Sequence, residues 1–252
     1  MREYKNKITL TKNGRGIYTI DPIMGCNSGM KENAKGCFGD CYAARNSRIY
    51  GYDFSKNVLR YFESKKHLKS IITKINKLDF PFIRMGNSGD PSENWEHTIS
   101  IIEQLEGINK EIVIITKHWN KLNKNQLERI GKLKVCINTS ISAIDNNLHE
   151  NIEQYELLKD YTKSILRCVS FDFNINNKKG AEFYLMQNWI FQRYEVLDTV
   201  FRCGKSNELY KNGIINIKET KFLGKKCFIS KFNKKTFFGK CNNCIELCGI
   251  KM

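Results

Sequence analysis

The chain has 252 residues, 41% hydrophobic and 12% aromatic, enough to bury one sizeable core and too apolar for a disordered chain. Its net charge of +16 comes from Lys+Arg 42 against Asp+Glu 26, a field that suits polyanionic partners, although the lysines are spread along the chain and arginines are few. No stretch reaches the roughly 18 uninterrupted apolar residues of a membrane span, and "MREYKNKITL" lacks an apolar export core, so the expectation is a cytoplasmic protein without a membrane partner.

In chain order, "GIYTIDP" reads as a first strand and leads into "CNSGMKENAKGCFGDC", a polar loop with Cys26, Cys37 and Cys41. Beyond it, Val58, Leu59 and Phe62, then Leu68, Ile71, Ile72 and Ile75, recur at helical spacing, which predicts helix with a break near Gly51. "FPFIRMG", "KEIVIITK", "KVCINTSIS", "KSILRCVSFD" and "LDTVFRC" are short, apolar, β-branched runs. They alternate with helical patterns in "HTISIIEQLE", "NKNQLERIGK", "DNNLHENIEQYELLKD" and "KGAEFYLMQNWIFQRY", and Asn123 suits a helix cap. Six successive βα units predict an α/β fold, either a partial barrel or an open doubly wound sheet, with chemistry at the carboxyl ends of the strands. The residues just past the strands are therefore the ones of interest, among them "GNSGDPSENW", "KHWN" with His118 and Trp119, and "TSISAID". His67, His97 and His149 fall on predicted helices, where a solvated face is expected.

Ten cysteines without an export signal are expected to stay reduced, as metal ligands or core thiols. Cys136 and Cys168 lie in apolar strands and read as buried free thiols, while Cys203 fits either use. Cys26, Cys37 and Cys41 can ligate three irons of a [4Fe-4S] cube and leave the fourth open; three ligands to zinc are the alternative, and unrelated thiols a third. Cys227, Cys241, Cys244 and Cys248 form a C-x13-C-x2-C-x3-C group, four soft ligands for a closed site holding either a second [4Fe-4S] cluster or zinc. Lysines and phenylalanines alternate around this tail, which suits either a strand-gripping surface or the small core of a metal-bound module. The expected division is a barrel over 1–203 and a cysteine-rich extension over 204–252.

A cysteine triad after the first strand of a six-fold βα pattern resembles the radical S-adenosylmethionine superfamily. "CFGDCYA" is similar to the "CxxCYA" endings of its phage-associated branches, "FIRMGNSGDPSENW" to their segment after strand two, and "TSISAIDNNLHENI" to a Ser-x-Asp turn after strand four. The triad here is C-x10-C-x3-C, whereas most members have C-x3-C-x2-C, so the backbone of this loop departs from theirs.

The resemblance implies a partial (βα)6 TIM-type barrel and an enzyme that reductively cleaves S-adenosylmethionine to a 5'-deoxyadenosyl radical. That radical abstracts hydrogen from a substrate that the sequence does not identify, nucleic acid and nucleotides being among the candidates, and flavodoxin or ferredoxin is the type of electron donor implied. Cys26, Cys37 and Cys41 would hold the cluster, and Ser88, Gly89 and Asp90 would meet the cofactor's ammonium. Asn138, Ser140, Ser142 and Arg167 would serve its ribose or carboxylate, with strand alternation expected to let only some of the first three face inward. The opposing expectation is a zinc-stabilised nucleic-acid-binding protein without catalysis, using the basic tail.

Overall fold

The computed structural model describes residues 2 and 4–250. Among the described residues there are eleven strands: β1 (Thr11–Lys12), β2 (Tyr18–Thr19), β3 (Ile23–Met24), β4 (Val58–Leu59), β5 (Phe82–Met85), β6 (Glu111–Thr116), β7 (Val135–Ile141), β8 (Lys163–Ser170), β9 (Val196–Arg202), β10 (Lys218–Phe222) and β11 (Lys225–Ser230). The α-helices are α1 (Asn27–Glu32), α2 (Tyr42–Ile49), α3 (Lys65–Asn76), α4 (Trp95–Gln104), α5 (Lys124–Ile130), α6 (Leu148–Leu158), α7 (Lys178–Arg193) and α8 (Glu208–Lys211).

A nine-stranded sheet of order β1-β2-β5-β6-β7-β8-β9-β11-β10 organises the chain. From β2 to β9 the neighbours are parallel and follow chain order without a reversal, and antiparallel strands flank them on both sides. Parallel pairing is possible because each strand is followed by a crossover long enough to return to the same edge. Residues after Cys203 do not stand apart from this sheet: β10 and β11 form a hairpin, and β11 joins β9.

Strand alternation gives the sheet two different faces. Ile83 and Met85, Ile112 and Ile114, and Val135 and Ile137 pack with Ile71, Ile75, Ile99, Ile102, Leu127 and Ile130 of the helices in the largest core cluster. Their strand neighbours Phe82, Val113 and Cys136 point the other way and are covered by Cys241 and Leu247 of the tail. The helix side thus follows the amphipathic pattern, whereas the opposite side is closed by the end of the chain.

The predicted strands and helices from Phe82 onward form, and Asn123 caps α5 in a reciprocal pair with Gln126. One stretch differs: Val58 and Leu59, which share helical spacing with Phe62, form β4 against β3. Pairing with Ile23 and Met24 offers those residues a backbone ladder close to the cysteine loop, and this long-range partner overrides the local period.

Candidate functional site

The cysteine loop lies across the carboxyl edge of the sheet. Cys26 precedes α1, and its N–H donates to Phe54 O over 2.8 Å. Gly36 adopts φ 78, and a Cβ there would lie 2.4 Å from Cys41 Cβ, so the turn that brings Cys41 back requires glycine. At the far side of the edge, Gly204 N, just past β9, donates to Asp40 Oδ2 over 2.5 Å, and Asn207 Nδ2 donates to Phe38 O over 2.9 Å. Phe38 meets Phe171 and Phe201 edge-on at 5.8 and 6.0 Å, which seats the loop on the ends of β8 and β9.

The segment after β5 comes to the same place. Gly25 N donates to Ser88 O over 3.0 Å, and a Cβ on Gly89 would lie 2.4 Å from Ile23 O and 2.6 Å from Gly25 O. The close approach permitted by Gly89 is therefore to the backbone that leads into Cys26. Asp90 caps the short turn Pro91–Asn94 and is buried. Its carboxylate accepts from Ser92 N and Ser92 Oγ at 2.9 and 2.8 Å, from Thr116 Oγ1 at 2.6 Å and from Lys117 N at 2.8 Å. Those four donors commit it to joining the ends of β5 and β6. Glu93 reaches the loop instead: it accepts from Ser28 N over 2.7 Å, from Cys26 Sγ over 3.5 Å and from Asn57 Nδ2 over 2.7 Å.

Lys117, one residue past β6, is the cation of this edge. Its Nζ pairs with Asp145 Oδ1 at 2.6 Å, the two side chains being only 8% and 2% exposed, and stands 4.3 Å from the centre of the Phe38 ring. Burial works against the ammonium, but Asp145 and then Cys37 outweigh it and hold Lys117 above its ordinary pKa. Next to it, His118 has φ 51, is 2% exposed, and shares Nε2 with Thr139 Oγ1 at 3.0 Å; burial lowers its pKa to about 3, so the ring is neutral. Trp119 lies within 3.6 Å of the position a Cβ would take on Gly29.

The thiols of the triad lie in an acidic field. Burial raises the Cys26 pKa strongly, with Asp90, Cys37 and Glu93 adding to it. Burial pushes Cys37 up to about 12, against the pull of Lys117 and with Cys41, Asp90 and Glu32 adding to the rise. A Cβ on Gly29 would lie 2.9 Å from Cys26 Sγ and 3.3 Å from Cys37 Sγ, so both thiols border the same small space beside α1. Cys41 Sγ is 3.5 Å from the corresponding point at Gly36. Among the described residues, no three His, Cys, Asp or Glu side chains stand close enough to hold one ion. Cysteines of a cube each bind a different iron and need no common point, so three neighbouring soft donors fit such a cluster in kind.

The other candidate residues have different surroundings. Asn138, Ser140 and Ser142 are two residues apart, so alternation places Asn138 and Ser140 on one face together, and β7 ends before Ser142. Asn138 faces the tail: its Nδ2 donates to Cys248 O over 3.1 Å and its Oδ1 accepts from Arg167 Nη2 over 3.1 Å. Arg167 also donates to Thr199 Oγ1 over 3.0 Å and to Cys248 Sγ over 3.3 Å. Ser142 N donates to Asp145 Oδ2 over 2.7 Å, which fixes the carboxylate that holds Lys117. Cys241, Cys244 and Cys248 pack in the tail cluster, while Cys227 lies on β11 in the field of Arg202 and Arg45.

Sequence reasoning missed Lys117, Glu93 and Asp145. Each had a signal, since all three lie in the polar segments just past strands, yet their neighbours His118, Asp90 and Ser142 drew the roles. The chain matches no protein-family model, no curated protein and no solved structure.

Proposed function

We propose that the chain is a radical S-adenosylmethionine enzyme, with Cys26, Cys37 and Cys41 holding a [4Fe-4S] cluster at the carboxyl edge of a partial (βα)6 barrel. The barrel reading draws on the sequential order of the parallel strands from β2 to β9 and on helices that share one face. A doubly wound sheet needs a reversal of strand order, and none occurs among these strands.

The observation that carries the function is a sheltered triad beside carboxylates. Asp90, Glu93, Glu32 and Asp40 outnumber Lys117 and Arg45 around the thiols, and a field of that sign favours a positively charged ligand such as a sulfonium with its ammonium. A cluster held by Cys26, Cys37 and Cys41 would supply one electron for cleavage of the sulfonium to methionine and a hydrogen-abstracting 5'-deoxyadenosyl radical. The protein's own residues would bind and shelter. Glu93 and Phe54 fix the backbone at Cys26, Phe38 and Trp119 exclude water, and the Lys117–Asp145 pair offsets part of the negative charge at Cys37. Cys241, Cys244 and Cys248 would take part in a second metal centre under the sheet, a four-iron cube or zinc.

The test is an electron paramagnetic resonance spectrum of anaerobic, dithionite-reduced protein with and without S-adenosylmethionine. A [4Fe-4S] signal that shifts on adding the cofactor, and no longer shifts in a Cys26/Cys37/Cys41→Ala variant, is the expected outcome. Protein that carries zinc alone ends the radical reading and turns attention to the exposed lysines Lys218, Lys221, Lys225 and Lys226 of the β10–β11 hairpin as a nucleic-acid surface.

A further inference from the structure

Cys136 begins as an apparent core thiol in the middle of an apolar strand, yet it lies on the face of β7 that the helices leave uncovered. Cys241 shares its apolar cluster, and Cys244 and Cys248 pack against that cluster. A Cβ on Gly249 would lie 3.7 Å from Cys136 Sγ, and that thiol is 3.8 Å from Cys248 O. Leu247, Cys248 and Gly249 have φ values of 39, 58 and 89, a run of left-handed residues that is costly for the two side-chain-bearing ones. The run carries Cys248 back under β7, where Asn138 and Arg167 receive it.

The surrounding charge points to an anionic occupant. Arg15, Arg84, Arg167 and Arg202 are half-buried near the tail, and among the described residues none pairs with a carboxylate at ion-pair distance. The Nε atoms of Arg84 and Arg167 are buried without a hydrogen-bond partner. Asp21, which adds to the field at Arg84, is already bound by Gly86 N and Asn87 N at 3.1 and 2.8 Å. Guanidinium groups shielded from water need counter-charge, and thiolates on a metal would supply it. A four-iron cube held by four thiolates carries about −2 overall, and its ligands need no common point.

Cys227 fits this group poorly. It lies on β11 opposite Thr220, outside the tail cluster, and its thiol donates to Phe228 O over 3.6 Å. Its thiol neighbour is Cys203, whose pKa it helps to raise. We propose that Cys136, rather than Cys227, is the fourth ligand of a metal centre completed by Cys241, Cys244 and Cys248, with Arg84 and Arg167 as its counter-charges. The proposal rests on the reading that the tail holds a metal and is independent of the radical chemistry assigned to the triad.

The experiment counts metal and acid-labile sulfide per chain in full-length protein, after anaerobic reconstitution with zinc alone and, separately, with iron and sulfide. Far-UV circular dichroism checks the fold of each variant. The metal lost in Cys244→Ala defines the share held by the tail. Cys227→Ala is expected to keep that share, and Cys136→Ala and Cys136→Ser to lose it as Cys244→Ala does. Loss of the share in Cys227→Ala overturns the proposal, as does full retention in a folded Cys136 variant. Cys227 is not a core residue, so loss of the share in a folded Cys227→Ala overturns the proposal even if the Cys136 variants do not fold. No metal loss in Cys244→Ala removes both the tail centre and this ligand assignment, while the triad is tested separately by its resonance signal.

Discussion

Two groups of cysteines close the two open sides of the same sheet, and they do so in electrostatic surroundings of opposite sign. At the carboxyl edge, the triad is surrounded by Asp90, Glu93, Glu32 and Asp40, with Lys117 and Arg45 as opposing charges. Under the sheet, Cys241 feels Arg15 and Arg84, and Cys248 accepts from Arg167. Identical sulfur atoms thereby stand in fields of opposite sign. An acidic surround suits a site that must also receive a cation, whereas guanidinium groups suit a closed anionic centre.

The largest way to break this contrast is to remove the buried cation of the acidic edge. Lys117→Met leaves the Asp145 carboxylate buried without its partner, and a loss of about 3–5 kcal/mol is expected in urea unfolding of the anaerobic protein. The paired change Lys117→Met with Asp145→Leu should recover most of that loss, because no uncompensated charge remains. A smaller effect is expected from Arg167→Gln on the other side. It removes a donor to Cys248 Sγ and should weaken metal retention by the tail by roughly 10-fold, without altering the signal of the triad.

His118 sharpens the contrast through pH. Burial alone lowers its pKa to about 3, with Trp95 beside the ring at 5.7 Å and Thr139 on Nε2, so the folded protein holds it neutral while the unfolded chain protonates near 6.5. The unfolded state binds the extra proton between those values, so this contribution is fully present above about 6.5 and is lost as pH falls toward 3. His118→Asn tolerates the left-handed backbone and lacks the titration. Relative to that variant, the wild type should lose up to about 1.4 kcal/mol per pH unit below 6 in denaturant unfolding. Parallel pH profiles for the two proteins would show that the ring titrates without this penalty.

Much of the architecture was legible locally. The apolar runs from "FPFIRMG" to "LDTVFRC" became β5 to β9 because β-branched, buried strands and amphipathic helices have distinct periods. Val58 and Leu59 were misleading because two apolar residues satisfy either period, and their pairing with Ile23 and Met24 chose the strand. For the site, clustering picked out Cys26, Cys37 and Cys41 and the "SGD" segment that lies beside them. What Asp90, Asn138 and Arg167 touch was not legible, since their partners are Lys117, Cys248 and Thr199, far away in sequence.

By itself, the sequence determined the alternation of strands and helices, the positive charge and the spacing of soft ligands, all of which depend on residue type and short-range period. Tertiary structure alone decided which face the tail covers, which side chains surround each thiol group, and that Cys136 shares an apolar cluster with Cys241 of the tail. Those outcomes depend on long-range packing and on the sum of many distant charges, neither of which is written in any one stretch of chain.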